Sequence, residues 1–208
     1  FASASNYFQF IYYSDDTFWV QNVQSGATVI DVRSMPVYRD PSAWYHVVLA
    51  FDTTQATAAN RIKIYVNGVL QSLTFNTAPV QNGSYNFNDT SPTRLGYSGG
   101  TNVYFDGYLT EINFIDGQAL TPSSFGQTNP VTGVWQPLKY TGTYGTNGFY
   151  LNFSNNSAAT AAAIGADYSG NGNNWTPNNI SVTAGTTYDS MLDVPTLFAD
   201  GGNGRGNY

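Results

Sequence analysis

The sequence contains no cysteine, which excludes a disulfide framework and a thiolate metal site and leaves the redox compartment open. Charge is scarce: Asp, Glu, Lys and Arg make up 10% of the residues, against roughly 25% in an average soluble protein. The net charge is −6 and no run of Lys or Arg occurs, so the electrostatic footprint of phosphate-backbone binding is missing and nucleic acid is not an expected partner. No apolar run approaches the roughly 18 residues of a membrane-spanning helix, and Phe1-Ala2-Ser3 does not read as a signal peptide; membrane insertion is not expected. Histidine occurs once, as His46, and glutamate once, as Glu111. One imidazole and no thiol cannot make a zinc site of ordinary type.

What the chain has instead is amide and aromatic side chains. Asn alone, at 22 residues, outnumbers the 20 charged ones, and aromatics make up 16% of the chain. Such a surface is polar but nearly neutral, a composition common where a protein is extracellular, paired with neighbours, or exposed to glycans. The 208 residues suit one large β-sandwich, or a sandwich with an appended segment.

Short alternating runs of aromatic and β-branched residues, broken by Gly, Asn, Asp and Pro, predict many short strands and almost no helix. Tyr7–Tyr13, Phe18–Val23 and Ala27–Val32 read as a meander. Asn67-Gly68 supplies the two positive-φ residues of a type I′ turn, which predicts a hairpin between Arg61–Val66 and Val69-Leu70. Alternation puts Ile62, Ile64 and Val66 on its buried face and Arg61, Lys63 and Tyr65 on the other. The longer apolar run Trp44–Phe51 predicts a central strand buried on both sides. Val103–Ile115 predicts two strands around Asp106-Gly107, with a short helical turn following at Ala119–Phe125. After Trp135 the texture becomes Gly-, Thr- and Asn-rich around one good strand, Phe149–Phe153, and a small-residue patch at Ala158–Ala163. From Gly165 onward an extended, loop-rich arm is expected.

The order Trp44-Tyr45-His46-Val47-Val48, Phe51-Asp52, Arg61–Gly68, Phe105–Ile112 and Ala119-Leu120-Thr121 resembles the core of the laminin-G-like, concanavalin A-like lectin/glucanase superfamily over residues 7 to 126. Further stretches widen the likeness. Asp40–His46, Asp116–Pro122, Tyr140–Gly145, Asp167–Trp175 and Asp189–Thr196 together resemble structural proteins of marine bacteriophages, such as tail, fibre or decoration components. The resemblance implies an all-β fold, a two-sheet antiparallel jelly-roll sandwich over residues 1–137 with a closing strand and a Gly/Asn-rich arm over 138–208. Strands that usually precede the point where this sequence starts would be missing, so residue 1 is expected to be an internal cut and an edge is expected to be open or filled by a neighbour.

Glycoside hydrolases on this fold use carboxylates paired on one strand, commonly as Glu-x-Asp-x-x-Glu. Here Glu111 and Asp116 are five apart, an odd spacing that sends them to opposite faces of a strand. No catalytic residue is expected, and the chain is read as no enzyme. His46, between Tyr45 and Val47, reads as a structural imidazole. Exposed loops at a sandwich rim carry function in such folds, which makes Tyr97, Asn102 and Tyr104 the candidate glycan site: sugar C–H faces pack on aromatic rings while amides bond hydroxyls. Asp167, Asn171 and Asn173 offer oxygens at short spacing and are the candidate calcium ligands, because laminin-G-like domains often bind calcium; the competing reading is an Asp that caps its own backbone turn. No other cofactor is expected. The expected role is a non-catalytic virion structural module at the virion surface or otherwise extracellular, partnered by further virion subunits as a homo-oligomer and by a host-surface glycan. The alternative is a free carbohydrate-binding adhesin.

Overall fold

A computed structural model describes residues 5–89, 92–98, 103–185 and 188–190. All regular structure among them is β or short 3-10 turn. The strands are β1 (Tyr7–Tyr12), β2 (Phe18–Gln24), β3 (Ala27–Ser34), β4 (Val47–Phe51), β5 (Ile62–Val66), β6 (Val69–Leu70), β7 (Leu73–Thr77), β8 (Tyr97–Ser98), β9 (Val103–Tyr104), β10 (Ile112–Phe114), β11 (Gly126–Thr128), β12 (Trp135–Pro137) and β13 (Phe149–Leu151). Every pairing is antiparallel. The chain divides into two compact units, Phe1–Gly107 with Ala119–Ser123, and Tyr108–Gln118 with Ser124–Tyr208.

In the first unit the expected meander forms a four-stranded sheet in the order β1-β2-β3-β7, and a second sheet runs β4-β5-β6. Alternation along β2, β3 and β5 sends Val20, Ile30, Val32, Ile62, Ile64 and Val66 into one cluster, each at most 6% exposed. Phe8, Phe10, Phe18, Leu73 and Phe75 from one sheet and Val47, Leu49 and Phe51 from the other pack around it, which makes the two sheets the layers of a sandwich. Burial of each aliphatic side chain contributes about 1.5–3 kcal/mol. The hairpin forms as its sequence dictates: Asn67 and Gly68 take φ of 49° and 80°, and Asn67 Oδ1 accepts the His46 N–H at 2.9 Å.

Two expectations are corrected in this sheet. β4 pairs with β5 alone among the described residues and stands at the end of its sheet, half-buried along its whole length rather than central. Arg61 does not share an outer face with Lys63 and Tyr65. It lies just before β5, 9% exposed, and its guanidinium donates to the carbonyls of Gln55 (2.8 Å), Pro79 (2.7 Å) and Ala56 (2.7 Å). A cation is tolerated there because three backbone acceptors replace water.

The second unit is built on aromatic rings. β10 pairs with β13, and β11 with β12. Phe125, Tyr140, Tyr144 and Tyr150 form a run of contacts with centroids 5.1–6.3 Å apart. Phe149 stacks on Phe114 and meets Trp175 at 4.8 Å. The stretch beyond Gly165 has no strands in its described part, yet it is tied to β13: the Tyr168 N–H donates to the Tyr150 carbonyl, and the Trp175 N–H to that of Gly165. Gly148 is required by close approach, since any Cβ there would overlap the backbone of Tyr144. The helical turn expected near Ala119–Phe125 is a 3-10 turn at Pro122–Ser124. No helix among the described residues is long and apolar enough to cross a membrane.

Candidate functional site

The rim hairpin gathers two of its three expected residues. Tyr97 and Tyr104 are direct cross-strand partners on β8 and β9, their rings 4.9 Å apart and inclined by 34°. The Arg94 guanidinium lies 5.3 Å from the Tyr97 centroid. Tyr104 is 66% exposed and Phe105, beside it, 43%, so a ring supported from beneath by a second ring presents apolar surface to solvent. That is the form of a stacking platform. Asn102 lies outside the described residues.

Asp167, Asn171 and Asn173 also converge, and the hydrogen bonds define what they do. Asp167 Oδ1 accepts the N–H groups of Tyr150 and Ser169, both at 2.8 Å. Its Oδ2 accepts the Ser169 hydroxyl at 2.8 Å and the Asn173 N–H at 2.9 Å. Partial desolvation pulls the carboxyl upward, but the donors from Tyr150, Ser169 and Asn173 outweigh it and hold Asp167 below the ordinary carboxylate range. Asn171 donates its amide to the carbonyls of Gly145 and Gly148, and Asn173 to those of Thr146 and Gly148. The amide nitrogens, not the oxygens, therefore face these carbonyls, and the carboxylate is occupied by donors. This donor set fits a clamp that fastens the 167–174 loop to β13 and the 145–148 turn; it does not fit a calcium ion, which needs those oxygens for itself. Among the described residues no group of three His, Cys, Asp or Glu converges.

Glu111 and Asp116 are placed by different means from those expected. β10 covers only Ile112–Phe114, and Glu111 precedes it with a left-handed φ of 54°, so a single strand does not carry both. The Glu111 carboxylate accepts the Tyr150 hydroxyl, and Asp116 Oδ2 accepts the Asn147 N–H at 3.1 Å. Tyr144 donates to Asn113 Oδ1 at 2.9 Å, and its hydroxyl is pushed far above the usual phenol range by desolvation first, then by Tyr140, Asp167 and Glu111. These groups brace a buried tyrosine layer. His46 is held below its ordinary pKa by burial.

Sequence reading missed the outer face of the four-stranded sheet. Because Phe8, Phe10 and Val20 point inward, alternation turns Tyr7, Gln9, Trp19 and Gln21 outward. Register sets Gln9 directly opposite Gln21. Gln21 Oε1 accepts both the Tyr7 hydroxyl and the Gln9 amide at 2.9 Å. Further along, Asp31 accepts the Trp19 indole N–H at 2.7 Å and the Asn76 amide at 3.2 Å. Arg33 lies over the Trp19 and Tyr13 rings at 4.2 and 4.9 Å and pairs with Asp15 at 2.9 Å. The available signal was the period-2 spacing of Tyr7, Gln9 and of Trp19, Gln21, which becomes a ladder only once the β1–β2 register is known.

No curated protein matches the chain, and no solved structure does. A family profile does: it covers residues 1–125, from the meander through both sheets to the 3-10 turn, and its description is the concanavalin A-like lectin/glucanases superfamily. With an antiparallel two-layer sandwich in place and more than half its length matched, the chain belongs to the concanavalin A-like lectin/glucanases superfamily, whose sandwich is a jelly roll.

Proposed function

We propose that this chain is a non-catalytic module of a phage virion that attaches the particle to a carbohydrate on the host surface through the Tyr97–Tyr104 platform. The observation that carries the attachment reading is the stacked pair itself: Tyr104 is 66% exposed while resting on Tyr97 at 4.9 Å, a costly display of apolar area unless a flat C–H face covers it. The virion setting draws its support from the likeness of Asp40–His46, Asp116–Pro122, Tyr140–Gly145 and Asp167–Trp175 to phage structural proteins. The non-catalytic reading draws its support from the carboxylate inventory, in which the sole glutamate is engaged by Tyr150. A glycan array probed with the wild-type chain and with Tyr104→Ala tests the reading. Signal on a restricted set of glycans that drops at least about tenfold in the variant, the scale of one lost stacking contact, supports it; an array blank for both sinks it.

A second reading, homo-oligomeric assembly with other virion subunits, is favoured by the β11–β12 connection. Val131 is 91% exposed and Val134 58%, on a turn closed by the Asn129 side chain. Mass photometry of the chain is the test: ordered multimers that Val131→Asp dissociates support assembly, and a monomer at every concentration removes it.

A further inference from the structure

The sequence holds five Asn-Gly pairs, beginning at Asn67, Asn82, Asn147, Asn171 and Asn203, of which the last lies outside the described residues. Glycine has no Cβ to shield its nitrogen, so the nitrogen of such a pair can close onto the side-chain carbonyl carbon of the asparagine before it. All four described asparagines are exposed, so exposure does not separate them. Their contacts do.

At Asn171 the side-chain nitrogen, the group that would have to leave, donates to the carbonyls of Gly145 at 2.6 Å and Gly148 at 2.8 Å. At Asn67 the side-chain oxygen accepts the His46 N–H at 2.9 Å, and the Asn67 N–H returns to the His46 carbonyl at 2.8 Å. At Asn147 the main chain is held on both sides. Its N–H donates to Asp116 Oδ2 at 3.1 Å, and the buried Gly148 keeps its carbonyl under the amides of Asn171 and Asn173. The Tyr144 carbonyl lies so close to Gly148 that a Cβ there would overlap it, so the Gly148 nitrogen cannot swing toward Asn147 without undoing that packing.

Asn82 differs from all three. Its side chain makes no hydrogen bond among the described residues. Its N–H donates to the Thr53 carbonyl at 2.8 Å, and the Gly83 N–H to the Val80 carbonyl at 3.2 Å. One long bond therefore separates the attacking nitrogen from a side chain that is free to rotate toward it. From these contacts we infer that Asn82 is a site of spontaneous deamidation, the one described Asn-Gly pair that the fold leaves open to it. The Gly83 nitrogen gives up its proton and bonds to Asn82 Cγ; the Cγ–Nδ2 bond breaks and Nδ2 departs as ammonia, leaving a cyclic imide. Water then opens the ring at Cγ to give aspartate, or at the main-chain carbonyl to give isoaspartate. Water is the only co-reactant. Either product adds a negative charge to a chain of net charge −6. The isoaspartyl form also lengthens the backbone of a loop whose Ser84 carbonyl accepts the Gln24 amide and whose Tyr85 hydroxyl accepts the Val80 N–H. Neither the attachment reading nor the assembly reading is needed for this chemistry.

Peptide mapping by chromatography and tandem mass spectrometry, on the whole chain aged in mildly alkaline buffer with and without urea, tests the inference. Each native rate is divided by the rate of the same site in urea, which cancels the influence of neighbouring sequence. The expected result is a normalised rate at Asn82 at least about fivefold above those at Asn67, Asn147 and Asn171, the ratio that one hydrogen bond sets. Aspartyl and isoaspartyl peptides should both appear, and the rate should rise with pH because the nitrogen attacks as its anion. A normalised rate at Asn82 that does not exceed the other three by that margin overturns the assignment. Formation of aspartate alone, without the isoaspartyl peptide, excludes the imide route and overturns it as well.

Discussion

Asp167→Asn is the sharpest probe of the clamp, because it changes one oxygen and almost no volume. Oδ1 keeps its two N–H donors from Tyr150 and Ser169. The position of Oδ2 becomes an amide nitrogen facing the Asn173 N–H and the Ser169 hydroxyl, both of which had donated to it. Hydrogen bonds to a charged acceptor are each worth about 1.5–3 kcal/mol; discounted for partial solvent exposure, the loss of two should total about 2 kcal/mol. Urea unfolding followed by tryptophan fluorescence reads this directly, since Trp175 sits on the clamped segment against Phe149; the midpoint should fall by about 1 M. The pH dependence supplies an independent check. Asp167 is held below its unfolded value of about 4, so its contribution is complete above that pH and is lost as the pH falls through the lower folded-state value. The wild-type advantage over Asp167→Asn should therefore be flat near neutrality and vanish in strong acid. A loss under about 0.5 kcal/mol, or a difference that persists unchanged in acid, would refute the carboxylate as the organising group.

Two further outcomes follow from the first unit. Arg61→Met should destabilise by about 3 kcal/mol, measured as a lower urea midpoint, because the carbonyls of Gln55, Ala56 and Pro79, in a site 9% exposed, each lose a hydrogen bond worth about 1 kcal/mol. Burial holds His46 below its usual value, so the neutral form is the folded one. The stability tied to it is whole above about pH 6.5 and declines as the pH drops through the folded-state value. His46→Gln should flatten thermal stability between about pH 7 and pH 5; a slope identical to wild type removes the imidazole from the account.

Elements governed by local chemistry were legible in the sequence. The meander follows from period-2 alternation between polar turns, the hairpin from Asn67-Gly68, and the inward faces of β2, β3 and β5 from their β-branched spacing. What escaped was set by distant partners. Arg61 looked like an outer-face residue because alternation says nothing of three carbonyls, one of them at Pro79, closing over a strand end. Trp44–Phe51 looked doubly buried because an apolar run carries no information on how many neighbours its sheet supplies. Of the candidate site residues, Tyr97 and Tyr104 were found through their loop and meet as ring neighbours. Asp167, Asn171 and Asn173 were found as a cluster of oxygens, but only the geometry reveals that the asparagines present nitrogen to the 145–148 turn. The Gln9–Gln21 pair was invisible because register, not composition, creates it.

The ladder of neutral amides has a consequence for the waters in which such a protein operates. Ion pairs among the described residues are few: Arg33 with Asp15 and Asp31, and Arg39 with Asp16. Dissolved salt screens charges over about 8–10 Å near 0.1 M, but it leaves an amide-to-hydroxyl or amide-to-carbonyl bond nearly untouched. A surface fixed by Gln9, Gln21 and Asn76, and a loop fastened by Asn171 and Asn173, should each hold its shape alike in dilute buffer and in brine. The scarcity of charge with which the sequence opens is, in that light, a tolerance of ionic strength.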